Sequence, residues 1–201
     1  MGMDGLDVGL KPSAESSSVD GGVRAPHDDI ALRAATDVDM DFLRDVFSST
    51  RIQEFLSAGL PVEQIESLLA SQFLTQHEYY RRHYPHGRFD IIMQGGRSVG
   101  RLYHDWSGDV VRVIDIALLP AYRGAGIGTR LMRAIVARAA SKRMPIQLYV
   151  EFSNPVRTLY RTLGFVPTGE NGIYELMRRD VMPFDDEEAQ ASIKGLNSHV
   201  Q

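Results

Sequence analysis

The chain has no cysteine among its 201 residues. That excludes disulfides, thiolate–metal sites and a cysteine nucleophile, and it suits a reducing compartment. No apolar run approaches the ~18 residues of a membrane span. The polar N-terminus also lacks a signal-peptide apolar segment, so a cytoplasmic protein without a membrane partner is expected. Basic charge is in short supply: 22 Lys and Arg face 26 Asp and Glu, for a net charge of −4. Without a basic surplus, no nucleic-acid partner is expected. There is no Gly-Lys-Ser/Thr tripeptide, which argues against a nucleotide-hydrolysing P-loop. His77, His83 and His86 have no usual metal spacing and no acidic partner in register, so no metal is expected. With 43% hydrophobic and 24% charged residues, the composition is that of one globular domain.

What the chain does have is an apolar run, Val113-Ile-Asp115-Ile-Ala-Leu-Leu119, stopped by Pro120 and followed by Arg123-Gly124-Ala125-Gly126-Ile127-Gly128-Thr129. The run reads as a buried strand. Three glycines at alternate positions let the backbone turn sharply and approach a ligand closely. From Ile127 to Ser141 the pattern is helical, with Ile127, Leu131, Ala134 and Ile135 on one face. Strand, glycine turn and helix start bring free N–H groups and a positive dipole end to one point, which is a cradle for a pyrophosphate. Arg123, Arg130, Arg133, Arg138, Lys142 and Arg143 cluster here with no acid between 116 and 150, a local positive field suited to a polyanion. A dinucleotide fingerprint G-x-G-x-x-G/A begun at Gly124 would need glycine or alanine where Thr129 stands.

The pattern R-x-x-G-x-G at Arg123, Gly126 and Gly128, with a second block from Asn154-Pro155 through Leu159-Tyr160 to Leu163-Gly164-Phe165, resembles the GNAT superfamily of acetyl-CoA-dependent N-acyltransferases. The likeness runs from Ile30 to Arg179 in element order, and its specific motifs occupy 113–129 and 149–165. It implies an α/β fold with a central mixed sheet of six to seven strands, about four flanking helices and the order βααβββαβαββ. The residue pattern agrees. A first strand spans 30–33, and helices follow from Thr36 or Asp37 and from Leu60-Pro61. A hairpin turns at Gln94–Arg97, a fourth strand runs to Leu119, and a fifth spans Ile146–Glu151. Asn154 caps a helix with Pro155 at its first position, and a closing hairpin turns through Gly169–Gly172. Residues 1–26 read as a disordered leader, 27–180 as the domain, and 181–201 as an acidic, mobile tail.

What the resemblance implies for chemistry is acetyl transfer from acetyl-CoA to a primary amine acceptor, directly and in a ternary complex; the alternative is a non-catalytic CoA-binding or protein-interaction module of the same fold. Backbone N–H groups of Gly126, Gly128 and Thr129, within the turn Gly124-Ala125-Gly126-Ile127, would hold the pyrophosphate with Arg123 beside them. The unpaired backbone of Ile116, Ala117 and Leu118 would take the pantetheine, with the Leu118 N–H facing the oxyanion. Asn154 would contact the pantetheine arm. Tyr160 falls where the family has a general acid, yet Val156, Leu159, Tyr160 and Leu163 also form a core stripe, and both readings stand. For the base there are three options. Asp115 sits in an apolar strand, where desolvation would favour its neutral form. Glu151 ends the fifth strand, or instead faces outward or binds the amine by charge alone. The third is a water relay. The segment around Arg51–Pro61 is expected to select the acceptor. Tyr79, Tyr80, His83, Tyr84 and His86 form either a substrate wall or a core stripe with exposed histidines. Trp106 reads as hairpin packing beside Asp105 and Asp109. Exposed strand edges at the closing hairpin, with the family's habit, admit a homodimer.

Overall fold

In a computed structural model, residues 29–181 are described. The expected leader 1–26 and all but the first residue of the expected tail lie outside them. The strands are β1 (Ile30–Ala34), β2 (Arg88–Gln94), β3 (Arg97–Asp105), β4 (Val111–Leu118), β5 (Ile146–Glu151), β6 (Val166–Asn171) and β7 (Tyr174–Arg179). The helices are α1 (Met40–Ser57), α2 (Val62–His83), α3 (Ile127–Ser141) and α4 (Arg157–Thr162). One seven-stranded sheet runs in the order β1-β2-β3-β4-β5-β7-β6. Its only parallel pair is β4–β5, as the strand–helix–strand connection through α3 requires.

Alternation along the strands splits the core in two. Ile92, Leu102, Val113, Leu148 and Met177 meet Ile127, Met132 and Ile135 of α3 and Tyr160 of α4. Ile91 and Tyr103 point the other way, against Leu43 and Phe47 of α1 and Ile65, Leu69 and Phe73 of α2. The sheet is therefore covered by α1 and α2 on one face and by α3 and α4 on the other.

Several local expectations are corrected. On α3 the buried stripe uses Met132 where Ala134 was expected, and Ala134 faces solvent; the helix axis is turned so that the longer side chain reaches the sheet. The second helix opens after Leu60-Pro61 as expected, and Val62 at its first turn is exposed, before the helix contacts the sheet. Asn154 starts a turn rather than the helix itself: its Oδ1 accepts the Val156 N–H at 3.0 Å, and α4 begins only at Arg157. The closing hairpin turns at Gly172, not through 169–172. An irregularity between Pro167 and Gly169 lets β6 absorb an extra residue and run on to Asn171.

The feature that shapes the site is a bulge in β4. Tyr103 of β3 pairs with Asp115 and His104 pairs with Val113, so Ile114 is the additional residue. A bulge bends its strand and increases the local twist. The β4–β5 ladder stops at the same place: its last pair is Val113 with Leu148. Beyond it β5 is held only by β7, through Tyr149–Leu176, Val150–Glu175 and Glu151–Tyr174. The two parallel strands part, and their C-terminal halves form the walls of a wedge.

Gly100 of β3 sets the position of one wall. A Cβ there would lie 2.3 Å from the Ala117 carbonyl oxygen and 3.0 Å from the Leu118 Cα, both backbone atoms of β4. Gly100→Ala is expected to push β4 outward and to cost about 1–3 kcal/mol, the range for overpacking a tight site. Urea denaturation checks this. An unchanged midpoint would show that β4 yields freely.

Candidate active site

The wedge opens into a cleft of about 1380 Å³. Ile116, Ala117, Leu118, Arg123, Gly124, Gly126, Ile127, Gly128, Thr129, Asn154, Tyr160, Asp115 and Glu151 all line it. Of the residues expected to hold the cofactor or to act in catalysis only Ala125 does not, and its side chain is exposed between two glycines of positive φ.

Hydrogen-bond alternation fixes what β4 offers to the opening. The Leu119 N–H donates to the Val99 carbonyl, and register then places the N–H groups of Ala117 and Asp115 toward β3. The N–H groups of Ile116 and Leu118 point the other way, into the gap that β5 has left. A short 3-10 turn, Pro120–Tyr122, leads from β4 to the glycines. Gly124 and Gly126 take φ of 76° and 78°, a left-handed conformation that favours glycine. A Cβ at Gly124, Gly126 or Gly128 would meet no atom within 4 Å, so the space over the turn is open for a ligand. No side chain caps α3, and its first turn holds no acid. Its leading N–H groups face the cleft as an uncompensated positive end.

Arg123 is directed elsewhere than to that end. Its Nε donates to the Leu118 carbonyl at 2.8 Å, and its Nη2 donates to the Ser49 carbonyl and Oγ at 3.1 and 2.9 Å. It ties the end of β4 to α1. No sequence spacing announces this contact, because Ser49 is 74 residues away.

Tyr160 is buried, its ring 5.8 Å from that of Phe165. The two expectations for it are compatible: the ring belongs to the core while the residue lines the cleft. Burial, with the nearby charge of Asp115, pushes its hydroxyl up to about 12. It stays protonated at neutral pH and is a proton donor there.

Asp115 has a partner that the sequence did not reveal. The bulge turns it to the α1–α2 face, where its Oδ2 accepts from Arg101 Nη2 at 2.5 Å. Arg101 is 3% exposed, and its guanidinium lies 5.8 Å from the Phe47 ring and 5.2 Å from that of Tyr103. It also donates to Gln76 Oε1 at 2.9 Å. Burial opposes the Arg101 charge, but Asp115 and the neighbouring tyrosines outweigh it and hold the guanidinium above its usual value. Glu151 has a looser neighbour, Arg51 of α1 at 3.8 Å. Glu54, Tyr79, Tyr80, Tyr84 and Tyr174 line the same cleft, so the aromatic end of α2 is part of its wall. His83 stacks on Tyr79 at 3.8 Å, and neither His83 nor His86 lines the cleft. Trp106 is also outside it, donating to His104 Nδ1 at 2.8 Å beneath Arg138. Among the described residues no helix is long and apolar enough to cross a membrane, and no group of His, Cys, Asp and Glu is placed to hold a metal.

Solved structures with this fold include the PaiA N-acetyltransferase of Thermoplasma acidophilum in complex with coenzyme A. It is 19% identical, with 76% of this chain and 99% of that one covered, at a TM-score of 0.57. Another is the histone acetyltransferase HPA2 and related acetyltransferase of Corynebacterium glutamicum, 22% identical, covering 77% and 98% at a TM-score of 0.54. A third is an acetyltransferase of Thermus thermophilus, 17% identical, covering 76% and 97% at 0.54. No curated protein matches the chain significantly in sequence. The model of the acetyltransferase (GNAT) family matches residues 53–165, more than half of the sequence and the span that holds the bulged strand, the glycine turn and Tyr160. The chain belongs to the GNAT acetyltransferase family.

Proposed function

We propose that the protein transfers an acetyl group from acetyl-CoA to a primary amine, directly and within a ternary complex. The observation that carries this is the continuity of one cleft wall. The free backbone edge of β4 leads into an open glycine turn and an uncapped helix start, and Tyr160 and Glu151 line the same cleft. The N–H groups of Gly126, Ile127, Gly128 and Thr129 would hold the pyrophosphate. Ile116 and Leu118 would pair with the pantetheine as a missing strand would, and Asn154 would border that arm from the start of the α4 turn. Arg123 would serve by fixing the end of β4 against α1.

In the transfer, the amine nitrogen bonds to the acetyl carbon as the carbon–sulfur bond breaks, and the thiolate takes a proton. The Leu118 N–H is set to face the oxyanion, where a preorganised donor acts most strongly. Tyr160, protonated and buried, is the donor to the thiolate. Of the two carboxylates, Glu151 is the better acceptor of the amine proton. Its nearest cation stands at 3.8 Å, whereas Asp115 is held at 2.5 Å by Arg101. The chain has no cysteine to carry an acyl group, which accords with direct transfer.

Calorimetric titration with acetyl-CoA, with NADH as control, followed by a thiol-release screen over amines, tests the proposal. No acetyl-CoA binding would sink it. Tyr160→Phe is expected to lower kcat by about 10²-fold, the scale of one general acid. Its acetyl-CoA affinity should stay within about twofold, since the ring remains in the core. Undiminished turnover would leave Tyr160 a packing residue only.

A further inference from the structure

Among the described residues four arginines line the cleft: Arg51, Arg101, Arg112 and Arg123. Three are committed to fixed partners beside them. Arg101 holds Asp115, Arg112 donates to Gln147 Oε1 at 3.3 Å, and Arg123 holds Leu118 and Ser49. Arg51 differs. It reaches from α1 across the opening to Glu151 at the end of β5, stops at 3.8 Å, and keeps about a third of its side chain in solvent. Its guanidinium also lies 5.5 Å from the Phe47 ring, one turn back on the same helix. A pair about a third exposed at that separation contributes little, so exchanging it costs little.

Two features say what it exchanges for. Glu54 lies three residues beyond Arg51, on the same helical face and in the same cleft, so a released guanidinium has a second carboxylate one turn away. Among themselves Arg51, Glu54 and Glu151 carry one net negative charge, while Arg112 and Arg123, bonded to neutral groups, are the other uncancelled charges of the lining. The cleft is also rich in tyrosine. Of the eight tyrosines in the chain, six line the cleft, Tyr79, Tyr80, Tyr84, Tyr149, Tyr160 and Tyr174. Ring faces attract cations and accept aliphatic chains.

We infer that Arg51 occupies the place of the acceptor's ammonium group on Glu151, so the acceptor is an aliphatic amine that arrives as a cation and sends Arg51 to Glu54. The inference rests on the acetyl-transfer reading for what then happens to the amine, but the exchange is itself a binding event. Once Arg51 has left, Glu151 has the ammonium as its partner and can accept its proton. Arg51 is thus a specificity device: it excludes amines that carry no charge at the working pH and so cannot replace a guanidinium on Glu151.

The test is an NMR chemical-shift titration of the CoA-saturated protein with n-butylamine, n-butanol and 5-aminopentanoate. Wild type, Arg51→Gln, Glu151→Gln and the double variant are compared, and the spectra also report folding and CoA binding. Butylamine is expected to bind about fivefold more tightly to Arg51→Gln and at least about tenfold more weakly to Glu151→Gln. The double variant should match Glu151→Gln, because Arg51 acts only through that carboxylate. Three results would overturn the inference. These are no tightening in Arg51→Gln, butanol binding as well as butylamine, or 5-aminopentanoate binding best and losing affinity without Arg51, which would make Arg51 a carboxylate anchor. Exchange observed without CoA binding would remove the transferase reading alone. CoA binding without exchange would remove this one alone.

Discussion

Gly126→Glu is expected to abolish acetyl-CoA binding while the domain stays folded. Gly126 is the N-cap of α3 at φ 78°. A side chain there has room, since a Cβ would meet nothing within 4 Å. It has the wrong backbone, since the left-handed conformation costs a non-glycine residue about 1–2 kcal/mol. That strain alone lowers stability and bends the turn slightly. The carboxylate does more. It stands at the helix N-terminus, where it satisfies the dipole that the pyrophosphate needs and repels the pyrophosphate itself. Affinity should fall by more than about 10²-fold, over 2.7 kcal/mol. Gly126→Ala separates the two effects, because it carries the strain without the charge and should weaken binding less than about tenfold. Calorimetry on both variants, with a thermal melt for folding, reads the difference. Equal losses would assign the effect to strain. No loss in either would show that the anion binds elsewhere and that the turn only joins β4 to α3.

That cradle was legible in the sequence because its causes are local. Glycines set the φ values, Pro120 ends the strand, and the helical stripe begins at once, all within about twenty residues. Gly164, just past the end of α4, is likewise a local device, a glycine at φ 84°. Side-chain partners far apart in sequence were not legible. Arg101 is fourteen residues from Asp115, and the two meet only because the bulge at Ile114 turns Asp115 to the α1–α2 face. Nothing in an apolar run signals which residue will be the additional one. Burial of Asp115 was readable from its neighbours, but its counter-ion was not, and the counter-ion decides its chemistry. Arg51 and Glu151 likewise belong to separate blocks, and only the parting of β4 from β5 brings α1 across to the second. The substitution of Met132 for Ala134 on α3 has a simpler origin. Periodicity gives the stripe's width but not its centre, which the packing angle chooses.

Arg101→Leu is expected to destabilise the domain more than either glycine substitution, at position 100 or at position 126. Arg101 is 3% exposed, packed between Phe47 and Tyr103, and bonded to Asp115 and Gln76. Removing the cation strands the Asp115 carboxylate, whose side chain is only 17% exposed. Breaking one side of a buried pair costs about 3–5 kcal/mol, and the lower end applies because Asp115 keeps some contact with the cleft. The loss comes mostly from the stranded charge, so Arg101→Leu with Asp115→Leu should recover most of it. Urea denaturation of the two singles and the double closes the cycle. A single-variant cost below about 1 kcal/mol would mean that solvent in the cleft already screens Asp115. The same double variant decides between the two carboxylates as bases. If Glu151 takes the amine proton, Asp115 matters as the anchor of Arg101, and the stable double variant keeps most of its turnover. If Asp115 takes it, the double variant folds and binds acetyl-CoA yet transfers nothing. The pair is then a catalytic carboxylate held in aim by a buried cation, at the point where the bulge opens the sheet.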